Sequence, residues 1–422
     1  MKYQQRDIER LILKAASQFP AVILTGARQT GKTTTVKHLF GDTHRYVSLD
    51  DPLTKTQAIE DPYLLLKRFP PPIILDEIQY APQLLHLIKI LIDENRHTYG
   101  RFIITGSQIF PLMQGVTESL AGRAAILDFP PMSIREVCGL GTALKNSHSL
   151  LEESNMKPPS HEKRIRFLFR GGYPEVALAD SARGKQASVN RDLDVNMWFS
   201  SYVSTYLERD VRNIQNIGNL RDFQRFLLAL AVRTSSPVNM SDVGRDIGVT
   251  YQTIKTWISI LETTGQITTI TPFYVNVGKR LTKKTKVYFS DTGLLSYLLG
   301  IQNEPGISQG MAAGPLFETA VLAQIRALHS NRGENRSISF WRTAAGHEVD
   351  FLIQEGINLT PVEAKITATP KPRDADSIER FIQLLSGRKD RMWQIGKGFL
   401  VCLCDGRIPL TRNVDAIPFG SF

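Results

Sequence analysis

The chain has 422 residues, 42% hydrophobic and 22% charged, with 51 Lys and Arg against 41 Asp and Glu, for a net charge of +10. That length exceeds one ordinary core and calls for several domains, while no apolar run approaches the roughly eighteen residues of a membrane span. Residues 1–20 mix acids with bases and lack an apolar leader core, and Cys138, Cys402 and Cys404 show no paired spacing, so the expectation is a cytoplasmic protein without membrane contact, disulfide framework or structural zinc.

The run AVIL at 21–24 reads as a buried strand, and GARQTGKTTT follows it. Gly26, Gly31, Lys32 and Thr33 fit G-x-x-x-x-G-K-[ST] between a strand and a helix reaching about Phe40. Glycines let the backbone N–H groups curl around phosphates, so Gly26, Ala27, Arg28, Gln29, Thr30, Gly31, Lys32, Thr33 and Thr34 are expected to cradle ATP. Lys32 adds a charge and Thr33 a hydroxyl for Mg²⁺. Next, PPIILDEIQ is a short β-branched strand ending in Asp76, expected to hold the same Mg²⁺, and Glu77, expected to polarise the attacking water. In RFIITGS, Ser107 ends a third strand where a polar group can sense the γ-phosphate. Arg123, in ESLAGRA, is either an arginine finger acting on a neighbouring subunit or an ordinary surface contact.

The stretches TGARQTGKTT, ILDEIQ, IITGSQ, ESLAGRA, FRGGYPE, YLERDV, VYFSDTGLL, GPLFETAVL, HEVDFLI and PVEAK together resemble the AAA-type ATPases that join an AAA_14 nucleotide-binding domain to a DUF4143 region. The resemblance runs through nearly the whole chain. It implies a multidomain α/β protein with a P-loop AAA+ ATPase core at 1–138 and, after a polar linker or insertion at 139–163, a helical lid at 164–222. Arg209 and Arg212 lie in that lid, either facing nucleotide or on a solvated helix face.

Residues 223–300 read as a winged helix-turn-helix. Ser241 is the expected N-cap of a first helix, Gly248 permits a tight turn, and Thr250 caps a second helix that buries Ile254, Ile258 and Leu261. Tyr251, Gln252, Lys255 and Ser259 then face outward, toward DNA or toward a protein partner. Two strands flank the basic run VGKRLTKKTK, in which Lys279, Arg280, Lys283, Lys284 and Lys286 are expected to contact DNA phosphates.

Residues 301–422 begin with a helix carrying Glu318, followed by a hairpin, SISFW and HEVDFLI, and a third strand, NLTPVEAKIT. Alternation puts Glu363 and Lys365 on one strand face. Helix Glu318, strand Asp350, then Glu363 and Lys365 resemble the restriction-endonuclease-like PD-(D/E)XK superfamily, which includes Holliday-junction resolvases; Val349 stands where that motif has proline. The resemblance implies Mg²⁺ or Mn²⁺ held by Glu318, Asp350 and Glu363, with Lys365 steadying the phosphorane. Glu348 is either a further ligand or solvated. Two readings follow: an ATP-dependent enzyme that cuts duplex or junction DNA, assembled as a dimer or hexameric ring, or an ATP-switched regulator whose C-terminal region is an inactive scaffold.

Overall fold

A computed structural model describes residues 3–107, 120–141, 151, 156–179, 193–207, 220–274, 284–334, 336–343, 345–387 and 392–422. The sequence signals in the first third become a fully parallel five-stranded sheet. Its strands are β1 (Ala21–Thr25), β2 (Arg45–Ser48), β3 (Ile73–Asp76), β4 (Phe102–Gly106) and β5 (Ala124–Asp128), in the order β2-β3-β4-β1-β5. Alternation along β1 explains the layering. Val22 and Leu24 enter a core with Ile8 and Ile12 of the N-terminal helical segment and Val36 and Phe40, whereas Ala21 and Ile23 enter one with Leu65, Leu85, Ile88 and Ile92. A strand buried on both faces needs no polar positions, which is why AVIL reads as a continuous apolar run.

The helices of these layers are α1 (Glu9–Ala16) and α2 (Lys32–Phe40) on one side and α3 (Pro52–Glu60), α4 (Pro62–Arg68) and α5 (Leu84–Glu94) on the other. Two Asp-Pro pairs start α3 and α4. Asp51 accepts from the Thr54 N–H and Asp61 from the Leu64 N–H, both at 2.8 Å, with proline in the first turn where no N–H is needed.

Beyond a short helix α6 (Ile134–Val137), the chain forms α7 (His161–Arg170), α8 (Pro174–Ala177), α9 (Val195–Tyr202), α10 (Leu220–Val232), α11 (Met240–Ile247) and α12 (Tyr251–Thr263). Helix α11 starts earlier than expected: Asn239, not Ser241, is the cap, and it accepts from the Ser241 N–H at 3.1 Å. Gly248 closes α11 in the left-handed region at φ +89, and Thr250 caps α12. Ile254, Ile258 and Leu261 are buried.

Strands β6 (Ile267–Pro272) and β7 (Lys286–Phe289) pair antiparallel, with Ile267 opposite Phe289 and Ile270 opposite Lys286. Helices α13 (Thr292–Leu298), α14 (Gly306–Gln309) and α15 (Ala313–Arg332) precede β8 (Ser337–Arg342), β9 (Glu348–Glu355) and β10 (Asn358–Ala364). Helix α16 (Asp376–Ser386) and strands β11 (Gln394–Ile395), β12 (Gly398–Cys402), β13 (Ile408–Pro409) and β14 (Val414–Pro418) complete the chain. The hairpin does not stand alone. Thr271 and Pro272 of β6 pair parallel with Ser339 and Phe340 of β8, so one nine-stranded sheet runs β13-β14-β12-β10-β9-β8-β6-β7, with β11 beside β10. Its core takes Phe317, Val321 and Ile325 of α15 against Phe351, Val362 and Val401; the opposite face packs Leu352 and Leu359 on Phe381 of α16.

Two stretches singled out in the sequence meet here. In FRGGYPE, the Gly172 N–H donates to Asp291 Oδ2 at 2.6 Å, and Asp291 caps α13 of SDTGLL. A Cβ on Gly172 would lie 2.2 Å from the Met132 carbonyl oxygen, and one on Gly293 would lie 2.3 Å from that of Arg170. The glycines are a packing joint between the first sheet and the helical middle. Burial pushes the Asp291 carboxyl up to about 6. Among the described residues no helix is long and apolar enough to cross a membrane. Cys402 and Cys404 are buried, Cys138 is half-buried, and all three are free thiols.

Candidate functional site

The glycine loop sits at the C-terminal end of β1, as the strand–loop–helix order requires. Gly26 has φ +142 and Gly31 φ +98, and a Cβ on Gly26 would meet the Phe129 carbonyl at 2.4 Å, so glycine is obligatory there. Gln29 also adopts a positive φ of 60. Within the loop Lys32 Nζ donates to the carbonyls of Gly26 (2.9 Å) and Ala27 (2.7 Å), and the Thr30 hydroxyl donates to Ala27 (3.0 Å). Arg28 reaches the Tyr80 hydroxyl at 3.4 Å, and Thr34 is exposed. Burial, opposed by Glu77 and Asp76, pushes Lys32 down to about 8.

Thr33 Oγ1 donates to both oxygens of Asp76, at 2.9 and 3.0 Å. Asp76 also accepts from Tyr46 (2.7 Å) and from Thr105. A hydroxyl and a carboxylate converging beside a phosphate loop are oxygen donors of the kind Mg²⁺ takes, so Thr33 and Asp76 fit the ion that accompanies a nucleoside triphosphate. Glu77 stands in the left-handed region at φ 60, which turns its side chain away from Asp76 and toward β4. There it accepts from Gln79 and from Ser107 (3.3 Å), and Gln79 also donates to Ser107 at 3.0 Å. The expected pair of Glu77 and Ser107 is therefore brought together. Arg123 is held within its own chain by Asp93, at 2.7 and 2.9 Å.

Several residues that support this site carry no motif. Arg6 donates to Glu136 (3.0 Å), to the Thr30 carbonyl (2.8 Å) and to the Pro130 carbonyl (2.8 Å), bracing the loop from behind. Thr105 and Tyr46 are each a polar group beside apolar strand residues, the one signal that could have marked them. A cavity of about 540 Å³ adjoins the loop, bounded among others by Ala27, Asp128, Gly265, Asp291 and Arg326. Asp128 accepts from Ser330 of α15 at 3.1 Å.

The second cluster lies on the nine-stranded sheet. Glu318 of α15 and Asp350 of β9 converge as the motif suggests, with Glu348, which the sequence left open as ligand or solvated residue, beside them, but on a lysine. Lys286 Nζ is 2.9 Å from Glu318 Oε1, 2.5 Å from Glu348 Oε1 and 3.8 Å from Asp350 Oδ1. Lys286 is 1% exposed, so it is not a DNA-phosphate contact; it opens β7, whose four residues are all buried, whereas Lys284 precedes the strand and is exposed. Burial would lower Lys286, yet Glu318, Asp350 and Glu348 outweigh it and hold it at about 12. Burial first, then Asp350 and Glu318, push Glu363 well above the usual carboxylate range, and its Oε2 is buried without a hydrogen-bond partner among the described residues.

Lys365 does not join them. Strand β10 ends at Ala364, so alternation no longer fixes the next side chain, and Lys365 pairs outward with Asp374 at 2.5 Å. Because the Lys286 ammonium stands among Glu318, Glu348 and Asp350, the set Glu318, Asp350 and Glu363 is not open to Mg²⁺ or Mn²⁺ as placed; among the described residues no group of three or more His, Cys, Asp or Glu is arranged to hold a metal ion. On α12, Tyr251, Gln252 and Lys255 are exposed, as is Lys284. Lys279, Arg280 and Lys283, and also Arg209 and Arg212, lie outside the described residues.

A parallel sheet with its glycine loop, phosphate-side lysine, Thr33–Asp76 pair and adjacent Glu77 defines a P-loop ATPase of the AAA type. Residues 18–138 match the family model described as an AAA domain, AAA_14; residues 161–305 and 313–422 match two domains of unknown function, DUF8612 and DUF4143. The chain thus carries an AAA_14 nucleotide-binding domain joined to a DUF4143 region. Curated relatives include Uncharacterized protein Mb2031c of Mycobacterium bovis and Uncharacterized protein Rv2008c of Mycobacterium tuberculosis. Each is 28% identical over 420 residues, covering 99% of this chain and 84% of the relative. Similar solved structures include the Walker-type ATPase paby2304 of Pyrococcus abyssi, 13% identical with a TM-score of 0.44, covering 70% of this chain and 96% of that one. The RuvB Holliday junction branch migration motor of Thermotoga maritima is 17% identical with a TM-score of 0.31, covering 62% and 88%.

Proposed function

We propose that the chain is an ATP-hydrolysing switch that engages duplex DNA through α11 and α12, with the C-terminal region as a restriction-endonuclease-like scaffold that does not cut. The observation that carries the reading is the set Lys32, Thr33, Asp76, Glu77 and Ser107 gathered at the C-terminal ends of the neighbouring strands β1, β3 and β4. In this reading Lys32 leaves the loop carbonyls for the phosphates, and Thr33 and Asp76 hold Mg²⁺. Glu77 takes the proton of the attacking water while Ser107 and Gln79 fix its carboxylate. Support for DNA comes from α12, which buries Ile254, Trp257, Ile258 and Leu261 and leaves Tyr251, Gln252 and Lys255 outward after a tight turn, in the manner of a winged helix. Coupling has a physical route: a Cβ on Gly265, just past α12, would lie 3.1 Å from the Ala27 N of the glycine loop. Cleavage is left out because Lys365 faces Asp374 and Lys286 sits among the carboxylates.

The test is ATP turnover and duplex affinity at two salt concentrations. Lys32→Ala is expected to lose turnover and the response of DNA affinity to ATP; Tyr251→Ala/Lys255→Ala is expected to lose duplex affinity, with a salt slope reduced by about 1 for the lost phosphate contact. Affinity indifferent to salt would instead favour a helix that docks protein. Assembly into a dimer or ring, with Arg123 reaching a neighbour's nucleotide, requires release from Asp93 and predicts specific activity that rises with protein concentration.

A further inference from the structure

Lys286 is among the largest fully buried side chains of the protein, and it is buried against acids. Its ammonium contacts carboxylates from two different elements, Glu318 on α15 and Glu348 on β9, with Asp350 at 3.8 Å. Divalent cations in carboxylate centres stand about 2.0–2.6 Å from their oxygens, the space this ammonium fills. Two further donors hold these carboxylates, one of them on the same Glu318 oxygen, while Glu363 Oε2 has no hydrogen-bond partner among the described residues. Tyr288, two residues along β7, donates to Glu318 Oε1 at 2.6 Å, and Asp350 Oδ2 accepts from the Ala364 N–H at 2.9 Å.

We propose that Lys286 is the resident cation of the C-terminal centre, standing where a divalent metal would otherwise bind and tying β7 to α15 and β9. Three consequences are built into the geometry. The centre is an internal ion cluster rather than a metal site; the strand that follows the basic run is anchored in the C-terminal sheet; and the hairpin beside α12 cannot move without breaking buried ion pairs. None of these depends on what α12 recognises or on ATP turnover.

The decisive measurement is a count of bound Mn²⁺ by native mass spectrometry and electron paramagnetic resonance on the nucleotide-free full chain carrying Asp76→Asn, which removes the carboxylate beside the glycine loop. No tightly held Mn²⁺ is expected; one Mn²⁺ per chain would overturn the proposal. Independently, Lys286→Met should lower the thermal midpoint by several degrees or more, and adding Glu348→Gln should restore part of that loss, because the acid then no longer lacks its counter-ion. A Lys286→Met chain as stable as the wild type would equally overturn it.

Discussion

Glu77 and Asp76 are neighbours with opposite tasks, and the left-handed turn at Glu77 is what separates them. Glu77→Gln keeps the shape and the hydrogen bonds but removes the base, so turnover should fall about 10²- to 10⁴-fold with nucleotide affinity nearly unchanged; stopped-flow binding alongside steady-state turnover reads both. A second residue, His329 in α15, gives a pH signature. Burial, and after it Arg336, Arg332 and Arg326, push it down to about 3. The unfolded chain binds a proton at this residue below about pH 6.5 that the folded chain refuses. Its contribution is therefore complete above that pH and is lost as pH falls toward about 3. Replacing it by Gln should flatten the stability profile between those limits by up to about 1.4 kcal/mol per pH unit, as followed by urea unfolding at stepped pH.

Among the elements, the glycine joint between the FRGGYPE stretch and α13 is the place where one methyl group matters most. Gly172→Ala drives a Cβ into the Met132 backbone and should cost about 1–3 kcal/mol, whereas Gly314→Ala in α15 meets nothing within 4 Å and should stabilise by about 0.5–1 kcal/mol; paired denaturation midpoints decide between them. The joint also shows what a sequence conceals. Gly26, Lys32, Thr33, Asp76 and Glu77 are legible because strand, loop and helix fix them locally, and α12 is legible because its apolar period is local too. The carboxylates Glu318, Asp350 and Glu363 were legible as a motif. Their counter-ion was not, since a lysine at the end of a basic run looks the same whether it points to water or to core until the sheet that buries it is known. Lys365 was misplaced for a related reason: alternation was carried one residue past the end of β10.

At the scale of the molecule, the first sheet and the short helix α6 that follows it touch the rest through a few polar contacts. The Ile134 N–H donates to Gln324 of α15 at 3.0 Å, and Arg135 donates to the Gly420 carbonyl at 3.1 Å. Gln324 thus ties α15 to α6, and Ser330 on Asp128 gives α15 a direct hold on β5, the strand beside β1 and its glycine loop. The second sheet is shared more deeply, because β6 is zipped to β7 on one side and to β8 on the other. A chain ended at residue 305, where the match to the middle family model stops, would keep α11, α12 and the hairpin but leave Thr271 and Pro272 without partners. Such an edge is a template for other strands, so that shortened chain should self-associate, visible as a mass above monomer in light scattering. During synthesis the same edge emerges before the strand that covers it, so each growing chain passes through an interval in which its middle is exposed to mispairing with its neighbours on a polysome.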